Sequence, residues 1–240
     1  MLQGIYQESP TPLYPVGMRY AVDDMVFRYC HAEVSPGGTS PLIRRNRGVV
    51  FKQIPVTASV VVAALVDATE ITATVAGVSD GDYRDGYIIQ QPTVDWDGNA
   101  KLRIRNNRLG VYTLKDALAY AVAATDNLMF SKNIYSDVGK IPTNGTGKEY
   151  MSIVAVPLIH VTPEYYFWGQ TWGPCCVQFG EGTPHRPGET ASERSFGFDY
   201  YGAAICQTPA PFNLPVQKGG FVLPNTWGTW SILVMLQLSP

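Results

Sequence analysis

Ile71-Thr-Ala-Thr-Val75, Gly86-Tyr-Ile-Ile-Gln90 and Lys101-Leu-Arg-Ile-Arg105 carry a β-type pattern with a turn at each break. The first break is Ser79-Asp-Gly-Asp-Tyr-Arg-Asp-Gly86 and the second contains Asp95-Trp-Asp-Gly-Asn99, both rich in Asp-Gly turn chemistry. Working outward, Tyr112-Thr-Leu114 and Leu128-Met-Phe130 continue the series, and Ser231-Ile-Leu-Val-Met-Leu-Gln-Leu238 closes it. Strands recurring at about 10–15 residues belong to a sandwich or a barrel. The expected fold is therefore all-β: an antiparallel sandwich or barrel-like β domain, or two, with long loops, an extended N-terminal arm and at most one or two short helices.

Upstream, Met25 to Ala32 alternates as a strand after the Asp23-Asp24 turn signal, and Tyr150 to His160 reads as extended but broken at Pro157. Vicinal Cys175 and Cys176 must face opposite sides if they lie in a strand. Leu114 to Ala124 is the sole helix candidate, because Leu114, Leu118 and Ala121 or Val122 follow helical spacing. Residues 1–17 hold Pro10, Pro12 and Pro15 with almost no charge, which predicts extended, irregular backbone. Leu2, Ile5, Tyr6, Leu13 and Tyr14 make that arm too apolar for a solvated tail, so it is expected to dock. The organisation expected is an arm at 1–17, a β domain at 18–145, and a second β domain or a continuation of the same sandwich at 146–240.

The chain has 240 residues, 16% of them charged and 45% hydrophobic. That charge content is low against about 25% for typical soluble domains, as expected where subunits pack together. The net charge of −2 and scattered basic residues argue against nucleic acid, which selects a basic face. The one basic cluster, Arg44-Arg45-Asn46-Arg47, reads as a solvated loop or a contact to an acidic partner. No apolar stretch approaches the roughly 20 residues that span a bilayer, and the N-terminus has no signal-peptide pattern, so no membrane partner is expected. Cys30, Cys175, Cys176 and Cys206 form no CxxC pair and no zinc spacing, which fits reduced, half-buried thiols.

Catalytic apparatus is not evident. His31, His160 and His185 stand far apart, and there is no Gly-x-Ser-x-Gly elbow, P-loop or dinucleotide fingerprint. Asp80, Asp82 and Asp85, with Asp95, Asp97 and Asn99, are oxygen donors of the kind Ca²⁺ prefers, but they lack the later ligands of a calcium loop and read first as turns. The expectation is a non-enzyme with no cofactor and no metal. Tyr165, Tyr166, Phe167, Trp168 and Trp172 form the most aromatic stretch; alternation would give one face to the core and the other to a subunit or ligand surface.

Three pieces in order, Asp85-Gly-Tyr-Ile-Ile89, Arg103-Ile-Arg-Asn-Asn107 and Leu114-Lys-Asp-Ala-Leu118, resemble capsid decoration (cement) or minor virion proteins of tailed bacteriophages. Gly17-Met-Arg-Tyr20 with Phe27-Arg-Tyr29, Asn133-Ile-Tyr135 with Val138, and Tyr166-Phe-Trp-Gly-Gln-Thr-Trp-Gly-Pro174 are similar to further parts of that family. The resemblance implies a structural protein, made in the host cytoplasm, that sits on the outer capsid surface and bridges neighbouring capsomers. Its implied partners are the major capsid protein and itself, as a homotrimer. Leu2, Ile5, Tyr6, Leu13, Tyr14, Tyr166, Trp168 and Trp172 are the expected capsid or subunit contacts. An arm reaching a neighbour would be removable: loss of residues 1–16 would weaken binding and leave the melting temperature nearly unchanged. The alternative is a tail-associated adhesin that binds a receptor or glycan through the Tyr165–Trp172 region.

Overall fold

A computed structural model describes residues 2–33, 43–51, 56–90, 100–124, 126–140, 152–179, 187, 194–199, 202–206, 217–223 and 231–240. Among these the chain is all-β, with strands numbered here β1 to β17 along the sequence and no helix. It divides into two compact units, Gln53–Ile134 and a discontinuous unit of Met1–Lys52 with Tyr135–Pro240. The boundary expected near residue 145 lies outside the described residues; the division falls instead at both ends of an inserted barrel. Insertion is possible because the barrel closes by pairing its first strand with its last, Val56 opposite Phe130, which brings the chain's entry and exit together.

The inserted unit contains β5 (Val56–Val62), β6 (Glu70–Ala73), β7 (Tyr87–Gln90), β8 (Ala100–Arg108), β9 (Val111–Leu114) and β10 (Asn127–Ser131). They close in the order β10-β5-β6-β9-β8-β7, every pair antiparallel. Within that ring β10-β7-β8-β9 is a Greek key. Alternation does what the sequence pattern requires: Leu102 and Ile104 are buried, while Lys101, Arg103 and Arg105 are exposed. Ile71, Ile88, Leu128 and the aromatic trio Tyr83, Tyr112 and Phe130 fill the interior. The rings of Tyr112 and Phe130 are 4.6 Å apart, and each lies about 6 Å from Tyr83 in an edge-on arrangement. Burial pushes the Tyr112 phenol up to about 12.

The helix expected at 114–124 is absent. Leu114, Leu118 and Val122 are all buried in the barrel core, so the spacing marked core positions correctly. The backbone, however, finds its partners across the barrel rather than along itself: Leu118 N–H donates to Ala68 O, and Ala64 and Val122 exchange both bonds at 2.8 Å. The Asp-rich 79–86 loop is stapled by buried Asn107, whose Oδ1 accepts from Tyr83 N–H and whose Nδ2 donates to Ser79 O.

The discontinuous unit is an eleven-stranded sheet curled into a half-barrel. Its strands are β1 (Glu8–Ser9), β2 (Arg19–Val22), β3 (Met25–His31), β4 (Val49–Phe51), β11 (Val138–Gly139), β12 (Ile153–Pro157), β13 (Tyr166–Gln178), β14 (Ser195–Phe198), β15 (Ala204–Cys206), β16 (Gln217–Val222) and β17 (Ser231–Gln237). The 13-residue β13 organises it. Its first half pairs with β3, and with β1 and β12; its second half pairs with β17 from Trp172–Gln237 to Gln178–Ser231. The two halves join at Gly173, which has φ of +95° and whose missing Cβ would lie 2.3 Å from Asp24 O, so no other residue fits. Along β13 Cys175 is buried and Cys176 exposed, as strand alternation demands.

Two outcomes are expected. The fragment Gln53–Ile134, carrying its own closed barrel and core, is expected to unfold in a single cooperative transition in urea. Burial holds the Cys30 and Cys175 thiols at about 12, so at pH 8 both stay protonated. Iodoacetamide at pH 8, read by peptide mass spectrometry, is expected to label Cys176 well before either of them.

Candidate functional site

The aromatic stretch and the N-terminal arm meet. Phe27, Tyr29 and Trp168 are buried side by side on β3 and β13, and Ile5, Tyr14, Tyr20, Val22, Met25 and Tyr166 pack against them. Trp168 is the hub, with ring centroids of Tyr29, Tyr14 and Tyr20 at 5.0, 5.3 and 5.5 Å. Tyr166 stacks on Tyr29 at 5.9 Å. Rings at these distances attract beyond the simple burial of area.

A buried indole and a buried phenol need hydrogen-bond partners, and the arm supplies them through one residue. Gln3 is 2% exposed. Its backbone carbonyl accepts from Trp168 Nε1–H at 3.1 Å, and its Oε1 accepts from Tyr29 O–H at 2.6 Å. Its Nε2 donates to Tyr166 O and to Gln7 O, both at 2.9 Å. Leu13 N–H closes the ring by donating to the Tyr29 oxygen. Further along, β1 pairs Glu8 and Ser9 with Phe167 and Tyr166, and the Glu8 carboxylate accepts from Thr162 N–H and Thr162 O–H at 2.7 and 2.8 Å. Burial raises the Tyr29 phenol above its ordinary 10.0, offset in part by the Leu13 N–H and reinforced by Tyr166 and Tyr14. The neutral phenol's contribution is therefore complete below pH 10.0 and is lost as the pH climbs through the raised value.

The eight expected contact residues thus separate. Ile5, Tyr14 and Tyr166 are half-buried and Trp168 fully buried, all packed in the aromatic cluster of their own chain, on which the arm docks. Leu2, Tyr6 and Leu13 stay exposed at 78%, 68% and 38%, and Trp172 is half-buried on β13. No motif marks Gln3 in the sequence; its signal there is an amide near the start of an apolar, charge-poor segment.

Asp80 accepts from Leu109 N–H and lies 3.8 Å from Arg108; Asp82 accepts from Ser79 N–H and lies 3.9 Å from Lys132; Asp85 pairs with Lys115. These carboxylates serve as turn braces. Asp95, Asp97, Asn99 and His185 lie outside the described residues. His31 sits 3.5 Å from Asp137 and against the Tyr166 ring, and His160 is exposed. No group of three metal-ligating side chains occurs among the described residues. No helix there is long and apolar enough to cross a membrane. No family model, curated protein or solved structure matches this chain.

Because the arm supplies buried partners, its loss reaches the core. Gln3→Ala strands the Tyr29 hydroxyl and is expected to cost about 1–3 kcal/mol, the range for an unsatisfied buried polar group. The readout is a lower urea midpoint at unchanged slope. Removing residues 1–16 is expected to cost more, since Trp168 Nε1–H then loses its acceptor too; the near-unchanged melting temperature expected of a detachable arm does not fit this geometry.

Proposed function

We propose that this chain is a non-enzymatic structural subunit of a tailed-phage particle, bound to the outer capsid surface and bridging neighbouring capsomers. The major capsid protein and further copies of the chain, as a homotrimer, are its partners. One observation carries the reading: the arm is fixed to its own sheet yet turns Leu2, Tyr6 and Leu13 outward at 78%, 68% and 38% exposure, with Met18 just beyond it at 42%. Large apolar side chains turned outward from an ordered segment offer contact area whose ordering cost is met before any partner arrives. The low charge content and the sequence resemblance support the same reading.

Such a subunit gains from many modest contacts repeated by symmetry rather than from one tight site. The aromatic stretch contributes indirectly, by holding the arm in place. The glycan-binding alternative would rest on the half-buried Tyr165, Tyr166 and Trp172, because Trp168 is 1% exposed and has no face open to a sugar.

The test pairs occupancy with stability. A variant carrying Leu2→Ser, Tyr6→Ser and Leu13→Ser is expected to keep the wild-type melting temperature within a few degrees. On purified particles, quantitative mass spectrometry is expected to find the wild-type chain in a simple symmetry ratio to the major capsid protein and the variant depleted at least about tenfold, as losing about 1.4 kcal/mol of binding would produce. A wild-type count of a dozen copies or fewer would move the chain to the tail, and its absence from the particle would end the proposal.

A further inference from the structure

We infer that Arg44, Arg47 and Lys140 form a small oxyanion site, suited to a dianionic phosphate group, in the notch between the 44–47 turn and the end of β11. Among the described residues the notch is lined by Ile43, Arg44, Arg47, Gly48, Val49 and Lys140, three of them cationic. Two separate segments build it. Ile43 forms a bridge with Val161, β4 begins at Val49, and the turn between them reverses through Asn46 in the left-handed region at φ of 60°. β11 pairs antiparallel with β4, Gly139 opposite Val50, and this register carries Lys140 to the Gly48–Val49 end where the turn lies.

The site is built before any ligand arrives. Asn46 N–H donates to Pro157 O at 2.8 Å, Gln178 N–H to Asn46 O at 2.7 Å, and Gly48 N–H to Gly202 O at 2.7 Å, so the turn is pinned to three other parts of the same unit. The Arg47 guanidinium is held as well, its Nε donating to Gln178 Oε1 at 2.7 Å. With Nε engaged by a neutral amide, the two terminal nitrogens keep their charge and their donors for a ligand. The ion pairs between described residues are His31–Asp137, Arg108–Asp80, Lys115–Asp85 and Lys132–Asp82; none of them involves these three cations.

Charge selects the ligand class. One arginine suffices to pair a carboxylate bidentately, and three cationic residues bordering one notch exceed what a monoanion balances. A phosphate monoester or free phosphate, near −2 at neutral pH, fits the surplus. A nucleic-acid track would need a longer basic stripe than three residues around one notch. This inference is independent of the virion reading.

The test is a titration of the full chain with inorganic phosphate at low ionic strength, followed by backbone amide shifts. Expected are saturable shifts confined to residues 43–49 and 138–140 that sodium chloride at matched ionic strength does not produce. Lys140→Gln and Arg47→Gln are each expected to weaken binding about tenfold, the loss of one charge-assisted hydrogen bond. Lys140→Gln removes no internal hydrogen bond between described side chains, so it remains informative if Arg47→Gln disturbs the fold. Glycerol 1-phosphate in a second arm separates sources: binding as tight as the free ion supports an ester ligand, and binding of the free ion alone supports a free-anion site. Non-saturable shifts, equal shifts with chloride, or affinity untouched by both substitutions would overturn the site.

Discussion

A tryptophan buried in mid-strand must find an acceptor for its indole N–H, and here the Gln3 carbonyl is that acceptor for Trp168. Much of the half-barrel unit's aromatic layer depends on this bond. Trp168 sits in the half of β13 that pairs with β3, and the rings of Tyr14, Tyr20 and Tyr29 lean on it. Gln3 also satisfies the Tyr29 hydroxyl, so one residue near the chain start removes the desolvation penalty of two large polar-tipped side chains. A segment rich in proline, with two residues in a strand, is thereby made part of the fold.

The two units solve the same problem in different ways. A strand with unpaired backbone at a sheet edge is a liability, and the inserted barrel abolishes its edges by closing. The half-barrel stays open, and β13 is long enough to serve four other strands in succession. Gly169 and Gly173 allow this: the position of a Cβ on Gly169 is taken by Ala155, and on Gly173 by the Asp24 carbonyl. An apolar outer face on the arm then costs little, because the arm's inner face is already anchored.

Local pattern reached most of the strands. Ile71–Val75, Gly86–Gln90 and Lys101–Arg105 became β6, β7 and β8 within a residue or three, and Ser231–Leu238 became β17, because period-two alternation depends on the chain alone. The all-β class followed. Pairing did not, since partners distant in sequence leave no local mark. Leu114, Leu118 and Val122 satisfy helical spacing and core burial equally, and only the carbonyls of Ala64 and Ala68 across the barrel favour extended backbone. The arm's apolar residues announced docking, but their surface lies 163 residues away at Tyr166. Lys140 joins Arg44 and Arg47 only through the β4–β11 register, which no spacing rule reaches.

That the arm belongs to its own chain's core is the claim on which the rest turns, and the indole proton of Trp168 reports on it directly. Its hydrogen-exchange rate, measured by NMR at two protein concentrations a hundredfold apart, separates docking within one chain from docking between chains. The expected result is strong protection, identical at both concentrations. Exchange near the free-indole rate, or protection that fades on dilution, would contradict the account.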